Sequence, residues 1–204
     1  MNRWNIRFLD TPKFIILIAV GFFIGRYLIV GDVIYWGIPT LQFLPWRWEA
    51  WRQMQAGMIP LWNPYNGMGA PLLANYQLAL FYPPSWLLYL FAAIGGLPWM
   101  AWGHTLLVLL HLVWAGWGMI NLSKILELSR LGQLISGLCF SIGGYLAART
   151  GFFSIIWCAS WIPWFLFAVE RYIIMGAKYG QKYKLSISDL LPPMIILTMQ
   201  LLSG

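Results

Sequence analysis

The chain's sharpest chemical feature is Asp32, which follows Gly31 where the apolar run Phe14 to Val30 gives out. A carboxylate at that point meets the negative end of a helix dipole, where it is disfavoured. Three readings account for it. A cation compensates it, Arg26 being the candidate because its stem can carry the guanidinium toward the same surface. A divalent metal ion binds it, with Glu49 as the only other carboxylate of residues 31–97. Or it is a polar residue that only ends the helix. Further on, GMIPLWNPYNGMGAPLLANYQLALFYPPSW, residues 57–86, carries no charge and is crowded with Pro, Gly, Asn and rings. Asn63, Asn66, Asn75 and Gln77 offer donors and acceptors, while Trp62, Tyr65 and Tyr76 offer flat apolar faces with polar tips. That mixture suits a sugar, whose ring has an apolar C–H face and a rim of hydroxyls. An aromatic belt at lipid headgroups, punctuated by turns, uses the same residues. Arg149 is a phosphate candidate, and His104 lies near the same end of its span.

These residues need a membrane-embedded scaffold. Hydrophobic residues make up 60% of the 204 and charged residues 9%, with a net charge of +7; soluble domains run near a quarter charged. The basic residues fall in short clusters between apolar runs, which is the pattern of topology signals and not of nucleic-acid binding. Cys139 and Cys158 sit inside apolar stretches with no metal or redox spacing, as buried inert thiols do. Spans are expected at about 14–30, 98–122, 131–148, 152–175 and 190–204, the last incomplete. Arg3, Arg7 and Lys13 place the N-terminus in the cytoplasm; Lys124 and Arg130, and then Lys178, Lys182 and Lys184, keep two further joints inside. Residues 31–97 then form one outer loop. Leu78 to Ala93 is apolar enough to cross, but Pro83-Pro84 and Gly95-Gly96 mark it as interfacial or re-entrant. Irregular backbone at that depth must be covered by protein or line a cavity.

Residues 41–57 read as an amphipathic helix on the outer surface, with Leu44, Trp48, Trp51, Met54 and Met58 on one side and Glu49, Arg52 and Gln53 on the other. Arg47 falls toward the apolar side, so it snorkels to a headgroup or meets a buried anion. The functional reading has Arg47 and Arg52 holding a lipid phosphate; headgroup anchoring is the simpler one.

The GD step, the amphipathic piece, the block GMIPLWNPYNGMGAPLLANYQ and then FYPP resemble the bacterial YfhO-like membrane proteins of the GT-C superfamily of integral membrane glycosyltransferases. The resemblance continues through LHLVWAGWGM, SKILELSRLG, IGGYLAAR and WIPW and covers most of the chain. It implies an all-α, polytopic transmembrane helix bundle, GT-C-like, with a large first extracytoplasmic loop carrying interfacial helices. It also implies that the chain is the N-terminal part of a longer transmembrane domain in the bacterial cytoplasmic membrane. The implied activity moves a sugar from a polyprenyl-phosphate carrier to a cell-envelope glycan, lipid or protein acceptor on the outer face. Asp32 matches the acidic residue that such enzymes place in the first outer loop and would be the general base. Arg26, Arg47, Arg52 or Arg149 would neutralise the departing phosphate. A paired Asp-Asp or Asp-x-Asp is missing, which leaves a metal requirement open. A lipid-linked-sugar transporter or flippase, or an envelope-assembly subunit, are the competing classes.

Overall fold

The computed structural model describes residues 10–34, 37–179 and 187–204; Arg3, Arg7, Lys182 and Lys184, which carry part of the topology reading, lie outside them. Among the described residues four helices are long and apolar enough to cross a membrane, Thr11–Ile29, Pro83–Ile125, Arg130–Ala148 and Phe153–Ile174, and Asp189–Leu202 is shorter. The described residues are mostly helical, with one small hairpin among them.

The first span, α1 (Thr11–Ile29), begins where the Asp10 side chain accepts from the Lys13 N–H at 3.3 Å, with a proline in the first turn, a standard N-cap. It ends in a Schellman motif: the Asp32 N–H donates to the Tyr27 carbonyl (2.8 Å) and the Gly31 N–H to Leu28 (3.3 Å), with Gly31 at φ +81°.

Next comes the amphipathic helix, α2 (Leu44–Gln55), entered through a π-helical turn at Pro39–Phe43. Leu44, Arg47 and Ala50 are buried, and Trp48, Trp51 and Met54 pack half-buried on the core. The stripe from Leu44 to Met54 therefore docks on the bundle, and only Met58, beyond the end of the helix, stays exposed. A short hairpin follows, β1 (Trp62–Asn63) against β2 (Ala70–Pro71), antiparallel with Trp62 opposite Pro71. Gly69, at φ +98°, leaves room for the Trp62 indole: a Cβ there would stand 2.4 Å from its Nε1.

From Tyr76 the chain dives inward, and Leu78 and Tyr82 are completely buried. The helix that follows Ser85 is broken at Gly95 and at Gly96 (φ 68°, ψ −151°), a conformation open essentially to glycine alone. Its first part, α3 (86–94), measures roughly 13 Å, too short to cross. Phe91 packs on Trp102 at 5.5 Å and covers Gly103, so α3 folds back along the start of α4 (97–125). Residues 78–93 thus enter the bundle and return.

Helix α4 runs antiparallel to α1. Asp10 and Lys124 pair at one end, the Trp117 Nε1 donates to the Lys13 carbonyl (3.0 Å), and at the other end the Trp102 Nε1 donates to Leu28 O (3.3 Å). Residues 31 and 97 therefore lie at the same end of the bundle. Gly116 admits Ile16 and Ser141, and Gly118 admits Trp164, the close approach that small residues give packed spans. The remaining helices are α5 (Arg130–Ser141), α6 (Gly144–Ala148), α7 (Phe153–Tyr179) and α8 (Ile187–Leu202). The α6–α7 turn returns to the loop end, where Gly151 faces Pro39, and Gly204 meets Tyr76 and Gln77. Cys139 is exposed on α5 and Cys158 half-buried, so the expectation of two buried thiols fails for the first: α5 turns that face away from its neighbours.

Candidate functional site

Asp32 is held by its backbone on both sides. Upstream its N–H closes the end of α1; downstream the Ile34 N–H donates to Thr105 Oγ1 on α4 at 2.9 Å. Its own side chain is exposed, and among the described residues it makes no ion pair. Arg26 does not compensate it. That guanidinium donates to the Tyr27 hydroxyl (2.7 Å) and stacks over the Tyr27 ring at 4.7 Å. Arg149 is likewise engaged with rings, Phe152 at 5.2 Å and Tyr145 at 5.7 Å.

Gly31 and Val33, the two neighbours of Asp32, line a cavity of about 930 Å³. Its other walls come from Thr40 in the π-helical turn, from Leu44, Pro45 and Trp48 on α2, and from the first turns of α4, with Leu97, Pro98, Trp99 and Trp102. The volume is that of a ligand site and the lining is almost wholly apolar, as an alkyl or isoprenoid chain requires. Asp32 lies between the lining residues Gly31 and Val33 in the chain, and its exposed side chain is not itself part of the lining. Sequence patterning missed the indoles of this groove, although Trp99 and Trp102, three apart behind a helix-starting proline, signal one lined face.

Arg47 is sealed behind the groove wall that Leu44 and Pro45 share with it on α2. It is completely buried, so it neither snorkels nor reaches a headgroup. Nη1 contacts His104 Nε2 at 2.7 Å, Nε donates to Leu78 O (3.4 Å) and Nη2 to Gln77 O (3.3 Å). The guanidinium stacks over Trp157 at 4.5 Å and meets the rings of Phe43 and Phe153. With Arg47 donating, the His104 ring is neutral and accepts through Nε2. Burial pulls the guanidinium down to about 10, against the pull of Tyr89; it stays charged near neutral pH. Deeper still, Tyr82 Oη lies 2.7 Å from His111 Nε2 and accepts from Trp161 Nε1 at 2.8 Å, while His111 Nδ1 is 2.7 Å from the Leu107 carbonyl.

The loop amides have local tasks. Asn63 is buried and its Oδ1 accepts from the Tyr65 N–H (3.0 Å); Asn75 Oδ1 caps the turn at Gln77 N (3.1 Å). Asn66 and Tyr76 are exposed. Glu49 accepts from Arg52 Nη1 (3.3 Å) and Gln53 Nε2 (2.9 Å), and Arg52 reaches the Tyr65 hydroxyl (3.4 Å). The structure thus gathers Arg47, His104 and the backbone carbonyl of half-buried Gln77 in one knot and Glu49, Arg52 and Tyr65 in a second cluster. Neither cluster, nor Trp62, Asn66, Asn75, Tyr76 or Arg149, lines the groove beside Asp32. With Glu49 so engaged, and no group of three His, Cys, Asp or Glu among the described residues, the residues present do not fit a resident divalent ion. Comparison of the chain with protein-family models, curated proteins and solved structures gives no significant match.

Proposed function

We propose that this chain belongs to a membrane glycosyltransferase that takes a sugar from a polyprenyl-phosphate carrier and passes it to an acceptor hydroxyl of a glycan, lipid or protein on the outer face of the bacterial cytoplasmic membrane. The observation that carries this reading is an exposed carboxylate whose two chain neighbours, Gly31 and Val33, line a large apolar groove where the spans end. The isoprenoid chain occupies the groove, and the sugar phosphate sits at its mouth. The acceptor oxygen attacks the anomeric carbon as the carbon–oxygen bond to phosphate breaks; Asp32 takes the hydroxyl proton and the carrier leaves as a phosphate anion. Arg26, six residues before Asp32 and exposed, is the cation available to that anion. Arg47 is not, because it is sealed behind the wall.

A second reading, a carrier that binds the lipid-linked sugar without chemistry, is favoured by the free side chain of Asp32 and the scarcity of polar groups in the groove. Incubating the purified protein in proteoliposomes with sugar-labelled polyprenyl phosphate and cell-envelope acceptors separates the two. Transfer expects label to leave the carrier, and expects Asp32→Asn to abolish this while membrane insertion persists. Full activity in Asp32→Asn, or label that crosses the bilayer on an intact carrier, overturns the enzymatic reading.

A further inference from the structure

We infer that the hairpin at residues 58–71 is a membrane anchor, whose apolar side chains enter the lipid leaflet on the side where residues 31–97 lie. This does not depend on Asp32 or on the groove. Met58, Ile59, Leu61, Tyr65 and Met68 are all exposed, Met68 fully, and they are gathered in one short segment. Single exposed apolar residues are ordinary, but a contiguous patch marks an interaction surface. The backbone that displays them is fixed by the Trp62/Pro71 and Asn63/Ala70 pairing and by the Leu72 N–H donating to the Leu61 carbonyl at 2.8 Å. The polar side chain of the strand is withdrawn: Asn63 is buried and closes on the Tyr65 N–H.

The charge pattern selects the partner. From Gln53 to Ser123 there is no Asp, Glu, Lys or Arg. A face that docks another protein keeps a polar rim around its core, whereas any charge carried into lipid is costly. Charge stops at the root of the hairpin. There Arg52 bonds Glu49 and the Tyr65 hydroxyl, and Gln53 Nε2 donates to the Trp62 carbonyl at 2.7 Å. A guanidinium and a phenol hydroxyl at the root, with charge-free thioether, aliphatic and aromatic side chains beyond it, suit the boundary between headgroups and acyl chains. Asn66, exposed at the turn, limits the dip to the boundary between the two, the depth at which interfacial amphipathic segments settle.

A nitroxide at Met68→Cys, in a Cys139→Ser, Cys158→Ala background reconstituted in phosphatidylcholine/phosphatidylglycerol vesicles, reads the depth directly by power-saturation EPR. The expected result is an oxygen collision rate above that of a water-soluble nickel chelate, by about the ratio found at Ile29→Cys on the exposed face of α1. A nickel rate above the oxygen rate places the tip in water and overturns the inference; suppression of both means that protein covers it and overturns it equally. Should the cysteine background not fold, a photocrosslinking phenylalanine analogue at Tyr65 in the chain with native cysteines gives the same decision. Lipid adducts support the anchor, and protein adducts or none refute it.

Discussion

Replacing Arg47 tests how a full positive charge is kept in the interior with no carboxylate beside it among the described residues. The contact with His104 at 2.7 Å is short, whereas those to Leu78 and Gln77 at 3.4 and 3.3 Å are long. A good charged hydrogen bond contributes about 1.5–3 kcal/mol and each long one about 0.5 kcal/mol; the desolvated stack on Trp157 adds about 2 kcal/mol. Against this gain of about 5 kcal/mol stands the several kcal/mol needed to hold an ion out of water. The two nearly cancel. Arg47→Met removes both and costs about 1–3 kcal/mol, for the acceptors left without donors. Arg47→Lys keeps the desolvation penalty but loses the planar fork that spans two carbonyls, an imidazole and an indole face, and costs about 3–5 kcal/mol. The apparently conservative change is therefore the worse one. Equilibrium unfolding in mixed micelles, followed by tryptophan fluorescence, measures the order. A lysine variant as stable as the methionine variant refutes the reasoning.

Tyr82→Phe leaves His111 Nε2 without a donor and the Trp161 N–H without an acceptor, and should lower stability by about 2 kcal/mol or more in the same assay. Gly96→Ala places a Cβ on a backbone at φ 68°, ψ −151° and should cost about 1–3 kcal/mol. Gly95→Ala should act otherwise: its Cβ would stand 1.9 Å from Trp99 Cδ1, and the half-exposed indole swings off the groove wall, weakening binding of a fluorescent isoprenyl phosphate more than it lowers stability. Burial works to raise the Asp10 carboxyl, but the Lys124 ammonium and the Lys13 N–H outweigh it and hold the group below its ordinary 3.8. A folded pKa below the unfolded one gives stabilisation that is present above the unfolded value and lost as pH falls through the folded one. Stability should therefore decline below about pH 4, the ordinary carboxylate range, and Asp10→Asn should flatten that limb.

The spans were legible because long apolar runs nearly free of charge are a property of the chain alone: Phe14 to Val30 carries only Arg26, and residues 152–175 only Glu170 and Arg171. Pro83, Pro84, Gly95 and Gly96 likewise marked 78–93 as something other than a crossing. Residues whose partners come from remote elements were not legible in this way. A helical wheel puts Arg47 on the apolar side of α2 but does not contain His104 or Trp157, so the sequence offered it only a headgroup or a buried anion. Asn63 and Asn75 looked like ligand-binding amides, although an Asn two residues before a free N–H is a local turn former. The groove escaped notice because its walls are contributed in pieces by the segment after α1, by α2 with the turn before it, and by α4, none of which is concave alone.

The knot around Tyr82 also sets a schedule. The indole that closes over its hydroxyl lies 79 residues later in the chain, so when the dipping segment leaves the ribosome its resting place does not yet exist. It must wait at the translocon or at the surface until α7 has entered the bilayer, which makes its seating a late event in biogenesis. A nascent chain stalled ahead of Trp157 would hold Arg47 without its indole and Tyr82 without the Trp161 donor.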